Sequence, residues 1–235
     1  MKIPIPKQIN LDTFNTNLRN RLTKYDTNLW DEEILNTCIE AALQRVYPYF
    51  FLVKTVTIEA GVDTDKDSYI KLPDDLIEIG IVYNDEDNIN IMFPFTGIIP
   101  NDEGFPAIKI PDEYSEAKLI YSCNPYIAKN IIFTPDIEAI YLASLMVCLE
   151  YRATDRIHYD SSPASTNEQS SEAQEVLINA QICTKTYLDY AKENRIERLH
   201  TLLAIEEIII NPFKQIDRTP NPGDINYEGK NKLPR

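Results

Sequence analysis

The side chains best suited to chemistry in this chain are few. Its two histidines are His158 and His200. Neither lies beside a cysteine or a carboxylate cluster at metal-ligand spacing, so each reads as an ordinary surface or helix-end imidazole. Glu150, Arg152 and Asp155 precede His158 closely. Were the chain a small enzyme or ligand-binding domain with a pocket, these four residues would be the first candidates for acid–base work. Asp63-x-Asp65-x-Asp67 carries the alternating carboxylates of a calcium loop. Such a loop also needs Gly at its sixth position and Glu at its twelfth. Here those positions hold Ser68 and Asp74, and the flanks read as strands. An acidic hairpin turn explains the run, with a weak cation site at the three aspartates as the alternative. The six glycines form no phosphate-binding loop, and no G-x-S-x-G elbow occurs. Cys38, Cys123, Cys148 and Cys183 form no C-x-x-C pair and sit in apolar-patterned segments, as buried thiols of a reducing compartment would. The expectation is a chain with no catalytic residue, no cofactor and no resident metal.

The elements that would position any site follow from hydrophobic periodicity. Residues 1–10, with Pro4 and Pro6, read as an extended arm. Leu11, Phe14, Leu18 and Leu22 then recur at helical spacing. A second helix runs from about Trp30 to Tyr47, with Asp31, Glu32 and Glu33 in its first turn and Pro48 to stop it. The period changes to two at residues 53–60. Further strands are expected at 69–71, 77–83, 89–93, 107–110 and 117–123, with turns at 61–68 and 84–88 and a Pro- and Gly-containing loop at 94–106. A third helix opens at Pro135, with Thr134 as its cap and Asp136 and Glu138 against the positive end of the dipole. Ile137, Ile140, Tyr141, Leu142, Leu145, Met146, Val147, Cys148 and Leu149 cover most of its circumference, so it must be enclosed by other elements or by other subunits. It is too short and too closely flanked by charge to span a membrane. Residues 158–167 read as a loop. A long helix follows from about Glu168 to Leu203, broken near Asn194, with Val176, Leu177, Ala180, Cys183, Tyr187, Leu188 and Ala191 on one face.

These readings give an α+β chain. It is a helical bundle of three to four helices with a small antiparallel β-region inserted between the second and third helices, and an extended C-terminal tail. Three parts are expected: an N-terminal arm and short helix at 1–27; a domain at 28–210, whose bundle (28–52 and 134–210) holds the β-insert 53–133; and a docking tail at 211–235.

Net charge is −14 over 235 residues, which excludes a nucleic-acid binder relying on a general basic surface. The two ends are mildly basic and the acidic excess lies between them. No secretory signal follows Met1-Lys2, so folding in a cytoplasm is expected. Aromatic residues gather outside the regular elements. Tyr49 and Phe50 follow the second helix, Phe93, Phe95 and Phe105 flank the long loop, Tyr151 sits at the exit of the third helix, and Phe213 begins the tail. With Lys214 and Arg218 of the tail, they are the candidate contacts for a subunit interface.

Two stretches resemble a known family. Trp30-Asp-Glu-Glu-Ile-Leu-Asn-Thr-Cys-Ile-Glu-Ala-Ala-Leu opens a helix much as in the head-to-tail adaptor (connector, or neck ring) proteins of tailed bacteriophages. Tyr69-Ile-Lys-Leu-Pro-Asp-Asp-Leu-Ile-Glu-Ile is similar to the stretch that follows their first strands. The likeness covers roughly residues 28–200 as an ordered set of elements. The loop at 94–106 and the length of the tail depart from it. The resemblance implies a structural virion protein, not an enzyme. It would form a homo-oligomeric ring of about twelve copies, placed in the neck between the portal protein and the next tail or neck protein. DNA would pass through its channel without sequence-specific contact, along acidic walls that repel phosphates. Another tail or stopper ring component is the alternative within the class.

Overall fold

The structure is a computed structural model. It describes residues 5–25, 30–62, 68–86, 89–92, 98–160, 167–199, 201–203 and 214–215. The chain divides into two compact units. Unit 1 comprises residues 1–55, 73–80 and 120–206, and unit 2 comprises 56–72, 81–119 and 207–235.

Unit 1 starts with β1 (Lys7–Asn10) and α1 (Leu11–Leu22). Asn10 caps α1, its Oδ1 accepting from the amides of Asp12 (2.9 Å) and Thr13 (3.2 Å). The buried side of α1 is Phe14, Leu18 and Leu22, the helical spacing seen in the sequence. Asp31 caps α2 (Glu32–Arg45) through the Glu33 amide at 2.7 Å. A cis Tyr47–Pro48 peptide follows. Then come β2 (Leu52–Glu59), later β5 (Glu78–Glu86) and β9 (Glu116–Cys123), and the unit boundaries fall inside these three strands.

Residues 7–10 of the expected arm belong to the fold. β1 pairs antiparallel with β11 (Ile131–Thr134), and β11 pairs antiparallel with β10 (Tyr126–Ala128), making a three-stranded sheet. The β10–β11 turn places Lys129 (φ 50°) and Asn130 (φ 62°) in the left-handed region, the geometry of a tight two-residue hairpin.

α3 (Ile137–Asp160) follows β11 directly. Its cap is Asp136, not Thr134: Asp136 Oδ1 accepts from the Ala139 amide at 2.9 Å. Thr134 instead ends the strand, its hydroxyl donating to the Asp136 carbonyl (3.0 Å) and accepting from the Asp136 amide (3.2 Å). α3 packs chiefly on α4 (Asn167–Asn194), then on α2 and α1. Ile140, Tyr141, Leu145, Met146, Val147, Cys148 and Leu149 are all buried. Ile137 and Leu142 are partly buried against the same core, so the chain itself covers most of the apolar circumference and that feature calls for no second subunit. After Asn194 the helix breaks at 195–198 and resumes as a turn that includes Leu199 and residues 201–203. Leu199 and Leu203 pack on β5 at Gly80, where a Cβ would lie 2.3 Å from Leu203 Cδ1 and 3.0 Å from the Ile120 carbonyl oxygen.

Unit 2 is built from strands. β3 (Gly61–Val62), β4 (Ser68–Lys71), β8 (Pro106–Lys109) and β7 (Ile99–Pro100) form a sheet in the order β3-β4-β8-β7, antiparallel throughout. β6 (Ile89–Met92) pairs antiparallel with β5, and β12 (Lys214–Gln215) pairs parallel with β6. The five-stranded order is β12-β6-β5-β9-β2.

The expected architecture, a bundle with a small β-region inserted between its second and third helices, is therefore corrected. The protein is a mixed fold in which three sheets with twelve strands accompany the helices among the described residues. The error has a physical source. β7, β10 and β12 are two or three residues long, too short for a period-two pattern to register, and β1 (Lys-Gln-Ile-Asn) is mostly polar. β11 is followed at once by a helix and hides in its approach. Residues 84–86, expected in a turn, instead extend β5, because Asn84 sends its Nδ2 to the Glu116 carbonyl at 2.9 Å and is buried.

Candidate assembly surfaces

Three places combine unusual side chains with defined geometry. The first is a polar clasp in unit 1. Lys54 Nζ lies 2.6 Å from Asp75 Oδ2, and the Tyr121 hydroxyl donates to Asp75 Oδ1 at 2.9 Å. The same ammonium sits 4.2 Å from the centre of the Tyr126 ring. Burial pushes the Asp75 carboxyl up, but the hydrogen bonds from Lys54 and Tyr121 outweigh it and hold it below the usual aspartate range. Burial, then the hydrogen bond to Asp75 and the Asp75 charge, push the Tyr121 hydroxyl well up, and burial pushes the Cys123 thiol up to about 11. Desolvation disfavours the Lys54 charge, yet the hydrogen bond to Asp75 leaves its pKa raised. Near neutral pH all four groups therefore keep one charge state. The arrangement fastens β2 to the β4–β5 connection and β9, and offers no group ready to take a proton.

The second place is the outer side of α4. Its inward row is Val176, Ala180, Cys183, Tyr187 and Ala191, all buried. Leu177 and Leu188, which the sequence places on that face, are 41% and 40% exposed. With Ile178 (54%) and Ile182 (50%) they leave large aliphatic side chains in water along about three turns. This helix has more apolar residues than one stripe can bury. Beyond Ile182 the surface continues into a groove of about 330 Å³ lined by Gln181, Thr184, Lys185, Leu188, Asp189 and Lys192.

The third is the β7–β8 hairpin of unit 2. Asn101 is buried, and its Oδ1 accepts from the amides of Glu103 (3.1 Å) and Phe105 (2.9 Å). Its own amide donates to the Phe105 carbonyl at 2.9 Å, and Gly104 takes φ +80° to close the turn. No Cβ clash occurs at Gly104; the backbone angle is what calls for glycine. Ile98, Ile99 and Phe105 project outward, and Lys71 Nζ lies 3.3 Å from the Phe105 ring centre.

The residues singled out by sequence scatter over these places. Phe105 and Tyr151 are exposed. Phe50 is buried in the unit 1 core against Tyr190, with ring centres 6.2 Å apart, and Tyr49 is half-buried against the same core. Both thus serve the chain's own packing. Lys214 lies in β12. Phe93, Phe95, Phe213 and Arg218 lie outside the described residues, as do Asp63, Asp65 and Asp67. Of the suspected acid–base group, two side chains are described. Glu150 pairs with Arg45, Arg152 lies over the Trp30 ring at 4.7 Å, and the side chains of Asp155 and His158 are outside what the structure describes. Among the described residues no group of three or more His, Cys, Asp or Glu is placed to hold a metal, and no helix is long and apolar enough to cross a membrane. Ile178 and Ile182 were missed in the sequence. The available signal was the near-continuous apolar run 176–178 followed by Ile182, which one helical stripe cannot accommodate.

No protein-family model matches the chain, and no curated protein matches it at a significant level.

Proposed function

We propose that this chain is a non-enzymatic assembly protein that works as an oligomer. Within that class we propose a head-to-tail adaptor of a tailed bacteriophage. It would be a ring beneath the portal protein that joins capsid to tail and surrounds the path of the DNA. The observation that carries the reading is the outward apolar row of α4. Leu177, Ile178, Ile182 and Leu188 are each about half exposed. Fully burying a large aliphatic side chain is worth about 1.5–3 kcal/mol, so covering the four exposed halves offers a seam roughly 3–6 kcal/mol. That is a useful gain when repeated at every seam of a ring. The order of elements around Trp30–Leu43 and Tyr69–Ile79, and the acidic net charge, support the adaptor in particular. The acidic balance suits a wall past which DNA must slide rather than stick.

The test is native mass spectrometry and negative-stain imaging of the full chain, alone over a wide concentration range and mixed with portal rings. A closed ring of fixed copy number is expected. A strict monomer in every mixture would overturn the reading.

A further inference from the structure

We propose that the outer row of α4 is covered by the β7–β8 hairpin of a second copy of this chain. The inference rests on the ring reading and names the two faces that meet. A ring of identical chains closes through a heterologous contact, in which one surface of each copy meets a different surface of the next. The chain presents two such surfaces. One is the row Leu177, Ile178 and Ile182 on α4. The other is Ile98, Ile99 and Phe105 on the hairpin. Each is apolar and exposed, and they belong to different units.

The hairpin is built to be inserted. The buried Asn101 holds its turn by three hydrogen bonds that involve Glu103 and Phe105, so its projecting side chains are ordered before any partner arrives. A preformed element gives up little conformational entropy on docking. Pro100 in the edge strand β7 also limits competing strand addition at this end of the sheet.

The charges match as well. Past Ile182 the α4 surface reaches the groove that Lys185 and Lys192 line. Lys192 pairs with Asp189 at 3.3 Å, whereas Lys185 makes no ion pair with another described residue. The hairpin turn carries Asp102 and Glu103, both exposed. With Phe105 set on Ile178 and Ile182, the acidic turn faces Lys185 one turn further along. A two-fold contact of α4 on α4 would instead use one face twice and leave the hairpin uncovered.

The experiment uses the full chain. The variants Phe105→Cys and Ile182→Cys are made separately, given tags of different size, mixed at high concentration and treated with a short bis-maleimide. All four native cysteines are buried, which keeps their background low. The expected product joins one Phe105→Cys chain to one Ile182→Cys chain, at least about fivefold in excess over either self-linked dimer. Because each chain carries one new thiol, a link within a chain cannot mimic it. Self-linked Ile182→Cys dimers as the main product overturn the inference in favour of a two-fold helix contact. No link at all while the unsubstituted chain sediments as a ring overturns the inference and leaves the ring reading standing. A monomer at every concentration overturns both. A charge swap gives a second readout at exposed positions where folding is not at risk. Glu103→Lys and Lys185→Glu should each weaken association about fivefold, and the two together should restore most of it. Equal or greater loss in the double variant counts against this pairing of faces.

Discussion

Replacing Phe14 with Ala should unfold this protein's N-terminal attachment more than any change to the surrounding charges. Phe14 is completely buried and lies flat on the Tyr141 ring, with centres 4.0 Å apart and planes 4° apart. Arg21 lies over the same ring at 4.2 Å and forks onto Glu138 at 2.6 and 2.8 Å, and Asn17 Nδ2 donates to the Tyr141 hydroxyl at 3.1 Å. The Tyr141 ring is thus the part of α3 to which α1 is held, through Phe14, Asn17 and Arg21. A buried Phe→Ala change costs about 3–5 kcal/mol, of which the stacked pair supplies about 0.5–1.5. In a chain of this size that lowers the melting temperature by roughly 6–20 °C. Arg21→Ala should cost under about 1 kcal/mol, since the Arg21 and Glu138 side chains are 34% and 43% exposed and water screens the pair. The assay is urea unfolding followed by far-UV circular dichroism and by fluorescence of Trp30, the sole tryptophan. A Phe14→Ala loss below about 1 kcal/mol would refute the reasoning. It would mean that α1 is not docked and that the first residues are a free arm after all.

Other outcomes test separate parts of the fold. Asp75 has a folded-state pKa below its ordinary 3.8. Its clasp with Lys54 and Tyr121 therefore contributes stability above pH 3.8 that is lost as the pH falls through the depressed value. The side chain is 46% exposed, so the contribution stays below about 1 kcal/mol. The stability gap between wild type and Asp75→Asn should be constant near neutrality and shrink in acid; a gap that widens in acid would reverse the sign of the argument. Gly80→Val should drive a methyl group into Leu203 and the Ile120 carbonyl, costing about 1–3 kcal/mol and releasing the Leu199–Leu203 turn to protease; an unchanged unfolding midpoint and digestion pattern would show that the turn does not pack there. The four thiols are buried, and burial pushes Cys123 up to about 11. Ellman's reagent at pH 8 should titrate them only after denaturant is added, and rapid labelling of the native protein would contradict their placement.

How much of this could be read without coordinates depends on the range of the forces involved. α1, α2 and the helical part of α3 announce themselves by spacing, and Asp31 with the acidic first turn marks the start of α2. The break after Asn194 was legible too. β2, β4, β6, β8 and β9 were legible to within a residue or two, because each holds enough β-branched or alternating residues to register alone. β1, β10 and β11 were not, since their stability comes from pairing with one another: Gln8 faces Phe133 and Ile127 faces Ile132 across the sheet. A backbone hydrogen bond to a strand more than a hundred residues away leaves no local trace.

The candidate surfaces divide in the same manner. Phe105 and Tyr151 were recognisable as aromatics outside the core pattern, and they are exposed. Phe50 has the same composition signal but turns inward to Tyr190, because the chain after Pro48 folds back on α4, with the Ile196 amide donating to the Tyr49 carbonyl at 2.8 Å. The sequence alone determined that α3 must be covered on every side, whereas for α4 it gave one apolar face and missed Ile178 and Ile182 outside it. Only the tertiary structure decided that α3 is covered by its own chain, and that Leu177, Ile178, Ile182 and Leu188 are the residues left in water. Periodicity states how many apolar faces a helix has. Which of them finds a partner within the chain depends on where the other helices lie, and that is settled by packing across the whole unit.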